Sequence, residues 1–502
     1  MKHWGAEIGG FLPPDFAVIR RQVSEWLAKN GGPLLFPLLE VQKKSVAHAV
    51  ALRYCCLFDD MGLGKTAQAL AINAFGGHDC TLIICPNNVK KVWIAEIKKF
   101  LGFPASQVYV GSGAEIVTLP PKIARKYKFI IFNPEALVVA GKTPDVVPAI
   151  FKTCKHHILD EAHYFRNAHT AKFICYFNNL IKNPVHRLTV LTGTPIDRCV
   201  TDAWPYLAML DLNPKTEGRP FLTYFLNSTV FAERYATPRS TGQGGKPTYG
   251  GYKEHALPEV GEMFGQRVIQ RKIQEIVELP PLYTQDILLK LDIDEEEVQK
   301  KFQAAFAFIH KSKKKMEEFE KGEKTDDMFL KVVQKIRHDI AMAKAPSALE
   351  MAKKYRGNHG PVIIFSEFID PLKWIKDAAW KTGLEALLVV GEVMHLRDRE
   401  ENIAKFKEGK TPLLLATFGA MSEGENLQMM QVMILNDLPW QPLVIKQAQR
   451  RIWRIGQQKP CFCVTLKCAS DVFVEKNIAM KQVMINKLEK MFAEKQKESG
   501  LK

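Results

Sequence analysis

The apolar run Tyr54-Cys55-Cys56-Leu57-Phe58 leads straight into Asp59-Asp60-Met61-Gly62-Leu63-Gly64-Lys65-Thr66, and an Ala- and Leu-rich helical pattern follows. No other feature constrains the fold as much. A strand, a glycine-rich turn and a helix in that order expose backbone N–H groups at a helix N-terminus and build an anion site. Gly62 and Gly64 let those N–H groups close around phosphates, Lys65 reaches the β and γ groups, and the Thr66 hydroxyl binds Mg2+. The first glycine of the general G-x-x-x-x-G-K-S/T pattern is replaced here by Asp59.

A phosphate loop needs a second, acidic site, and Asp160-Glu161-Ala162-His163 follows the apolar strand end Ile158-Leu159. Asp160 is suited to hold the metal through water, and Glu161 to orient and deprotonate an attacking water. Alone, an acidic pair after a strand is more often a solvated loop; beside the loop at Lys65 the catalytic reading prevails. The neighbouring His156 and His157 do not make a metal site with His163, because consecutive residues of a strand point to opposite faces.

From Leu34 to about Leu210, short β-rich runs (Thr81 to Cys85, Phe129 to Phe132, His157 to Leu159, Leu188 to Leu191) alternate with helical patterns, which predicts a parallel sheet covered by helices. A second set runs from Val362-Ile363-Ile364-Phe365 through Ala386 to Val390, Leu413 to Ala416, Val432 to Leu435 and Val464 to Leu466. Between the sets, Val298, Phe302, Ala305, Phe306 and Ile309, and then Phe329, Val332, Val333, Ile336 and Ile340, recur at helical spacing. The expected organisation is a leader at 1–33, a first α/β lobe at 34–210, a linker with helical insertion at 211–345, and a second lobe with a C-terminal helix at 346–495. Within the insertion, the Gly, Pro and Ser content of Thr237 to Pro247 marks a mobile loop, and Lys311, Lys313, Lys314 and Lys315 read as a solvated helix face.

Lys and Arg outnumber Asp and Glu by 70 to 54, a net charge of +16 that suits a polyanionic partner. The ten cysteines are scattered, several inside apolar runs, as expected of a reducing, intracellular setting. Cys461, Cys463 and Cys468 come nearest to a zinc pattern, but the alternation from Cys461 to Leu466 reads as one strand and no second ligand pair stands nearby. No stretch is long and apolar enough to span a membrane, and the start has no signal-peptide core, so the protein is expected to stay where it is made.

Towards the C-terminus, Gln447, Arg451 and Arg454 fall at i, i+4 and i+7 and would share one helix face. Two arginines presented together suit a γ-phosphate whose charge grows in a transition state. With these motifs in this order, the chain resembles the superfamily-two helicases and, more closely, the Swi/Snf-like DNA translocases, over about Leu34 to Met491.

The resemblance implies two RecA-like lobes with helical insertions between them, and ATP with Mg2+ bound by Gly62, Gly64, Lys65, Thr66, Asp160, Gly424 and Gln447. Leu38-Leu39-Glu40-Val41-Gln42 looks like an adenine-reading segment with Gln42 as its amide. Leu191-Thr192-Gly193-Thr194-Pro195 resembles the coupling motif, with Thr192 and Thr194 linking ATP state to movement. The motifs around Cys85-Pro86 to Trp93, Ile363 to Ser366 and Thr417 to Leu427 imply nucleic-acid contacts at Pro86, Asn133, Ser366, Thr417 and Asn426. In the last of these, Met421-Ser422-Glu423-Gly424-Glu425-Asn426-Leu427 departs from the family's Gly-Gly-Glu-Gly-Leu-Asn-Leu run.

Asn436-Asp437-Leu438-Pro439-Trp440-Gln441-Pro442 and Arg454-Ile455-Gly456-Gln457 are similar to segments of the Swi/Snf-like branch, and Val268-Ile269-Gln270-Arg271-Lys272 to its linker, with Gln270 where a second arginine is common. Tyr249-Gly250-Gly251-Tyr252 resembles the subgroup that remodels and reanneals branched DNA. The implied activity is DNA-dependent ATP hydrolysis on double-stranded or branched DNA, in a bacterial or viral setting. Its rivals are an ATP-dependent RNA helicase and a non-catalytic nucleic-acid clamp.

Overall fold

The computed structural model describes residues 12–30, 33–76, 80–142, 149–197, 199–215, 220–239, 248–291, 296–298, 300–301, 327–391, 394, 396–409, 411–421 and 427–498. The lysine cluster at 311–315, the helical spacing from Phe302 to Ile309, most of the glycine-rich loop at 240–247, and Gly424 and Asn426 lie outside the described residues.

The strands are β1 (Tyr54–Leu57), β2 (Thr81–Ile84), β3 (Val108–Val110), β4 (Phe129–Phe132), β5 (His156–Leu159), β6 (Arg187–Leu191), β7 (Thr237–Arg239), β8 (Thr248–Gly250), β9 (Val268–Ile269), β10 (Leu282–Leu288), β11 (Val362–Ser366), β12 (Ala386–Val389), β13 (Leu413–Thr417), β14 (Val432–Leu435) and β15 (Cys461–Lys467). They form a sheet of order β3-β4-β2-β5-β6-β1-β9 and another of order β10-β15-β14-β11-β13-β12, with β7 and β8 as a separate pair. Every strand pairing of the two large sheets is parallel.

Strands such as β1, β4 and β14 are apolar without alternation because helices cover both faces. Tyr54 and Cys56 of β1 enter one layer of core, with Leu82, Ile130 and Val190. Cys55 and Leu57 enter the opposite layer, with Ile83, Ile131 and Ile158. The second sheet repeats the plan, Val362 and Ile364 facing one layer and Ile363 and Phe365 the other. The α/β class with two parallel-sheet lobes is therefore as the sequence implies.

The chain divides into a first unit, Met1–Pro238, Tyr249–Ile276 and Met484–Lys502, and a second, Arg239–Thr248 and Val277–Val483. These bounds differ from the expected 34–210 and 346–495 for physical reasons. Helix Phe16–Asn30 of the leader buries Phe16, Val23 and Leu27 against helix Glu40–Leu52. Beyond Leu210, helices Ser228–Tyr235 and Ala256–Phe264 add Phe231, Tyr235, Val260 and Phe264 to the first core, and β9 pairs with β1 (Cys56↔Val268, Leu57↔Ile269). Met484, Leu488 and Phe492 of helix Val472–Glu498 belong to that same first core. Apolar spacing announces such a helix, but not the core it enters. Helix Asp327–His359 runs unbroken through the expected boundary at 345, with Lys344 wholly buried and donating to Leu466 O at 2.9 Å and Asp471 Oδ2 at 2.5 Å.

All ten cysteines are buried and reduced, Cys461 and Cys463 within β15 as expected. Among the described residues no helix is long and apolar enough to cross a membrane, and no group of three or more His, Cys, Asp or Glu is arranged to hold a metal ion. His156 and His157 do face opposite ways. His156 meets Asn73 Oδ1 (2.9 Å) and Thr189 Oγ1 (3.0 Å), while His157 Nδ1 meets the Tyr176 hydroxyl at 3.0 Å.

Burial pushes the His157 imidazole down to about 3, and that of His48, whose Nε2 is 2.7 Å from Gln266 O, down to about 4. Both lie below the unfolded value, so the unfolded chain takes up more protons under acid conditions. Their contribution is complete above the unfolded pKa of about 6.5 and is lost as pH falls towards the folded values, at about 1.4 kcal/mol per pH unit for each histidine. His157→Gln is expected to flatten the fall in thermal midpoint between about pH 6.5 and pH 5. An unchanged pH slope in the melting of the 502-residue chain contradicts this.

Candidate nucleotide site

A parallel sheet delivers the C-terminal ends of its strands to one edge, where crevices for ligands form. In the first unit the adjacent strands β1, β6 and β5 end there in Asp59 to Lys65, in Thr192 to Thr194 and in Asp160 to Glu161. The loop reaches helix Lys65–Gly76 through Gly62 (φ 88°) and Gly64 (φ 70°), conformations that other L residues adopt at a cost. A Cβ on Gly64 would lie 2.7 Å from Gln42 Nε2, so a side chain there would also displace the Gln42 amide.

Gln42 is held in place from both ends of its amide: Oε1 accepts from Leu39 N at 2.9 Å and Nε2 donates to Leu63 O at 3.0 Å. The residue expected to read a base thus also grips the phosphate loop. The first-turn N–H groups of helix Lys65–Gly76, including that of the half-buried Thr66, have no acceptor within the helix. Lys65 Nζ donates to Asp59 O (2.6 Å) and Asp60 O (3.2 Å).

Asp160 follows β5, its N–H on Ile84 O at 2.8 Å. Its Oδ2 accepts from the Trp93 indole at 2.8 Å and its Oδ1 from Glu161 N at 2.9 Å. Burial first, and then the neighbouring Glu161 charge, push the Asp160 carboxyl up to about 6, against those two hydrogen bonds and the attraction of Lys65. A desolvated carboxylate short of positive charge, facing a loop with a hydroxyl at Thr66, fits a divalent cation shared with phosphate oxygens. Glu161 sits in the left-handed region (φ 47°), with Oε2 3.1 Å from His163 Nδ1. Such strain in a residue other than glycine is sustained by its surroundings, here including Tyr206, whose hydroxyl donates to Ala162 O at 3.1 Å.

The segment Leu191 to Pro195 packs against this loop. Thr192 is wholly buried, its N–H on Leu57 O (3.2 Å) and its Oγ1 accepting from Thr194 N (3.1 Å), and a Cβ on Gly193 would meet Met61 Cγ at 3.3 Å. Lys65, Thr66, Asp160, Glu161, Gln42, Thr192 and Thr194 are thus brought together in one unit. Pro86 is buried, and Asn133 is engaged inside the unit, accepting from Lys90 Nζ at 3.0 Å and donating to Glu135 at 2.8 Å.

In the second unit Gln447 and Arg451 lie buried on helix Pro442–Ile452. Arg454 does not share that face: the helix ends at Ile452, so the i+7 expectation fails. The Gln457 amide nitrogen ends it, lying 3.0 Å from Ile452 O and 2.7 Å from Met430 O, while the Trp453 indole turns to Pro280 O at 2.7 Å. Ser366, expected at a nucleic acid, is wholly buried and donates to Asp437 Oδ1 at 2.5 Å, and Asp437 Oδ2 accepts from Glu367 N at 2.9 Å. It therefore braces the Asn436 to Pro442 segment rather than facing a ligand. Thr417 is half-buried at the end of β13.

Sequence reasoning missed two residues of the first site. Trp93 was legible only as part of a motif, yet its indole orients Asp160. Arg271 carried no local signal as the partner of Asp59, the two being 212 positions apart.

Residues 40–345 match the model of the SNF2-related domain and residues 345–456 that of the helicase conserved C-terminal domain. An uncharacterized ATP-dependent helicase of Mycoplasma pneumoniae is 26% identical over 423 residues, 80% of this chain and 37% of the relative. The human DNA annealing helicase and endonuclease ZRANB3 is 24% identical over 461 residues, 89% of this chain and 40% of the relative. The chain therefore spans about two fifths of the length of either relative. The Sulfolobus solfataricus SWI2/SNF2 ATPase core in complex with dsDNA aligns with a TM-score of 0.38 at 20% identity, covering 92% of this chain and 98% of that one.

Gly64→Ala forces both the backbone and Gln42 to move, so binding of a fluorescent ATP analogue by the folded protein is expected to weaken at least about tenfold, with the melting temperature somewhat lowered. Wild-type affinity in that variant contradicts the geometry. Glu161→Gln keeps size and removes the base, so ATP binding is expected to persist while turnover falls by about 10² to 10⁴. Single-turnover hydrolysis at the wild-type rate assigns the base elsewhere.

Proposed function

This chain belongs to the SNF2-related family, and on that premise we propose that it is an ATP-driven translocase remodelling duplex or branched DNA, by branch migration, fork remodelling or reannealing. The observation that carries the reading is the convergence of Lys65, Thr66, Asp160 and Glu161 where the adjacent strands β1, β6 and β5 end. On this reading Lys65 neutralises charge on the β and γ phosphates of ATP, and Glu161 takes a proton from the attacking water. Asp160 and Thr66 would hold Mg2+, which would supply charge neutralisation on the phosphate oxygens. Arg451, on helix Pro442–Ile452, and Arg454, beyond its end, are the arginines proposed for the γ-phosphate, with Gln447 assisting in binding. Thr192 and Thr194 carry the change of nucleotide state into movement.

Double-stranded or branched DNA as the track is supported by the net charge of +16 and by the segments at Asn436 to Pro442 and Arg454 to Gln457. It is consistent with the human relative's being a DNA annealing helicase. Contacts go mainly to backbone phosphates, which makes binding insensitive to sequence and steeply weakened by salt. The protein then works in the cytoplasm or nucleoid, or inside the host cell if its source is viral, in DNA repair or replication.

The test is ATP hydrolysis titrated with duplex, forked and single-stranded DNA and with RNA of matched length, alongside strand displacement on a tailed duplex. Duplex or forked DNA is expected to stimulate most, and Lys65→Ala to abolish turnover while DNA binding survives. Strongest stimulation by RNA, or long-range unwinding from a single-stranded tail, favours a conventional helicase. Nucleic-acid binding with no turnover in the wild type favours a clamp.

A further inference from the structure

Asp59 puts a wholly buried carboxylate at the start of a loop whose purpose is to bind an anion. Such a charge repels the ligand and is itself costly unless paired. Arg271, also buried, supplies the pairing: Nε donates to Asp59 Oδ1 at 3.0 Å and Nη2 to Oδ2. The same guanidinium reaches two further segments, through Nη2 to Gln68 Oε1 at 3.0 Å and through Nη1 to Val41 O at 2.5 Å. Gln68 closes the network by donating to Asp59 Oδ2 (3.1 Å) and Leu63 O (3.2 Å).

Backbone contacts run alongside. Phe58 N donates to Ile269 O at 2.7 Å, Asp60 N to Arg271 O at 2.9 Å, and Ile273 N to Asp60 Oδ2 at 3.3 Å. Residues 269–273 are thereby laid along the loop from its first residue. The two carbonyls that hold Lys65 Nζ belong to Asp59 and Asp60, the residues this stretch grips.

We propose that Arg271 is a positioning residue for ATP. By clamping Asp59 against Gln68 and Val41, it sets the path of the phosphate loop and hence the aim of its N–H groups and of Lys65 at the phosphates. One cation aligns the loop, the helix behind it and the segment carrying Gln42, so phosphate and base subsites are held in register. Buried as it is, Arg271 acts through these partners and makes no contact with ATP. The inference rests on the nucleotide-binding reading of this site.

Two variants of the full chain test it. Arg271→Lys keeps a charge but loses the planar fork, which a lysine ammonium cannot reproduce. The double variant Asp59→Asn with Arg271→Gln removes both charges, avoiding the uncompensated carboxylate that a single truncation leaves buried. Each is checked for folding by circular dichroism and melting temperature, then measured for the Kd of a fluorescent non-hydrolysable ATP analogue, for KM and kcat, and for duplex DNA binding without nucleotide. The expected result is a folded protein with duplex binding unchanged and with analogue Kd and KM raised about tenfold or more, the effect on kcat being smaller. Wild-type Kd and KM in either folded variant overturn the proposal. So does a loss of nucleotide binding that merely tracks the unfolded fraction in both variants, since that is what a purely structural ion pair gives. Failure of the wild type itself to bind the analogue rejects the nucleotide reading, and this inference with it, whereas normal wild-type binding with unaffected variants rejects the clamp alone.

Discussion

A carboxylate sealed beside an anion-binding loop must be neutralised, and the contact between Asp59 and Arg271 does this within the first unit. Much of the local architecture follows from where the guanidinium must stand. It comes from the end of β9, so β9 has to pair with β1, and the chain has to return to the sheet after the helices beyond Leu210. Those helices and the last turns of helix Val472–Glu498 fill the layer of core below β1 with Phe231, Tyr235, Phe264, Leu488 and Phe492. A loop that looks local in sequence is thus supported by segments far along the chain. Replacing glycine by aspartate in the loop is sustained by a partner that glycine would not need.

The same economy governs the acidic side of the site. Asp160 is desolvated enough for its carboxyl to be pushed up to about 6, and the indole of Trp93 is one of the few groups that oppose this. A carboxylate in that condition is poised for a cation, because a divalent charge reverses the cost of burial. Glu161, beside it, is kept in left-handed backbone by the turn that follows β5. In the second unit a parallel device appears, where Ser366 and Glu367 N hold Asp437, and Arg337 donates to Leu438 O at 2.8 Å while lying 4.8 Å from the Trp440 ring centroid. There too a buried polar network fixes the end of a parallel strand.

Legibility in the sequence followed burial. The strands with apolar residues on both faces, such as β2, β4, β11 and β14, were readable because a covered parallel strand leaves few polar positions. Those that escaped are short or solvated: β3 has three residues, β9 two, and β10 is exposed over most of its length. Among site residues, Lys65, Thr66, Asp160 and Glu161 were readable because their chemistry depends on spacing within a few positions. Arg454 was misplaced because helical spacing says nothing of where a helix ends, and here Gln457, from beyond the turn, ends it. Ser366 was misassigned because a hydroxyl at the end of a strand looks the same whether it faces a ligand or an aspartate.

By itself, then, the sequence determined the two parallel-sheet lobes, the phosphate loop with its acidic partner, and the SNF2-related family, since all of these reside in local patterns of hydrophobicity and in motifs a few residues long. Tertiary structure alone decided which core each amphipathic helix enters, that the leader and the last turns of the chain belong to the first unit, and that Asp59 is answered by Arg271. Those outcomes depend on contacts between residues as far apart in sequence as Phe58 and Phe492, or Asp59 and Arg271, and no periodicity or spacing in the chain encodes which distant side chain will satisfy a buried charge.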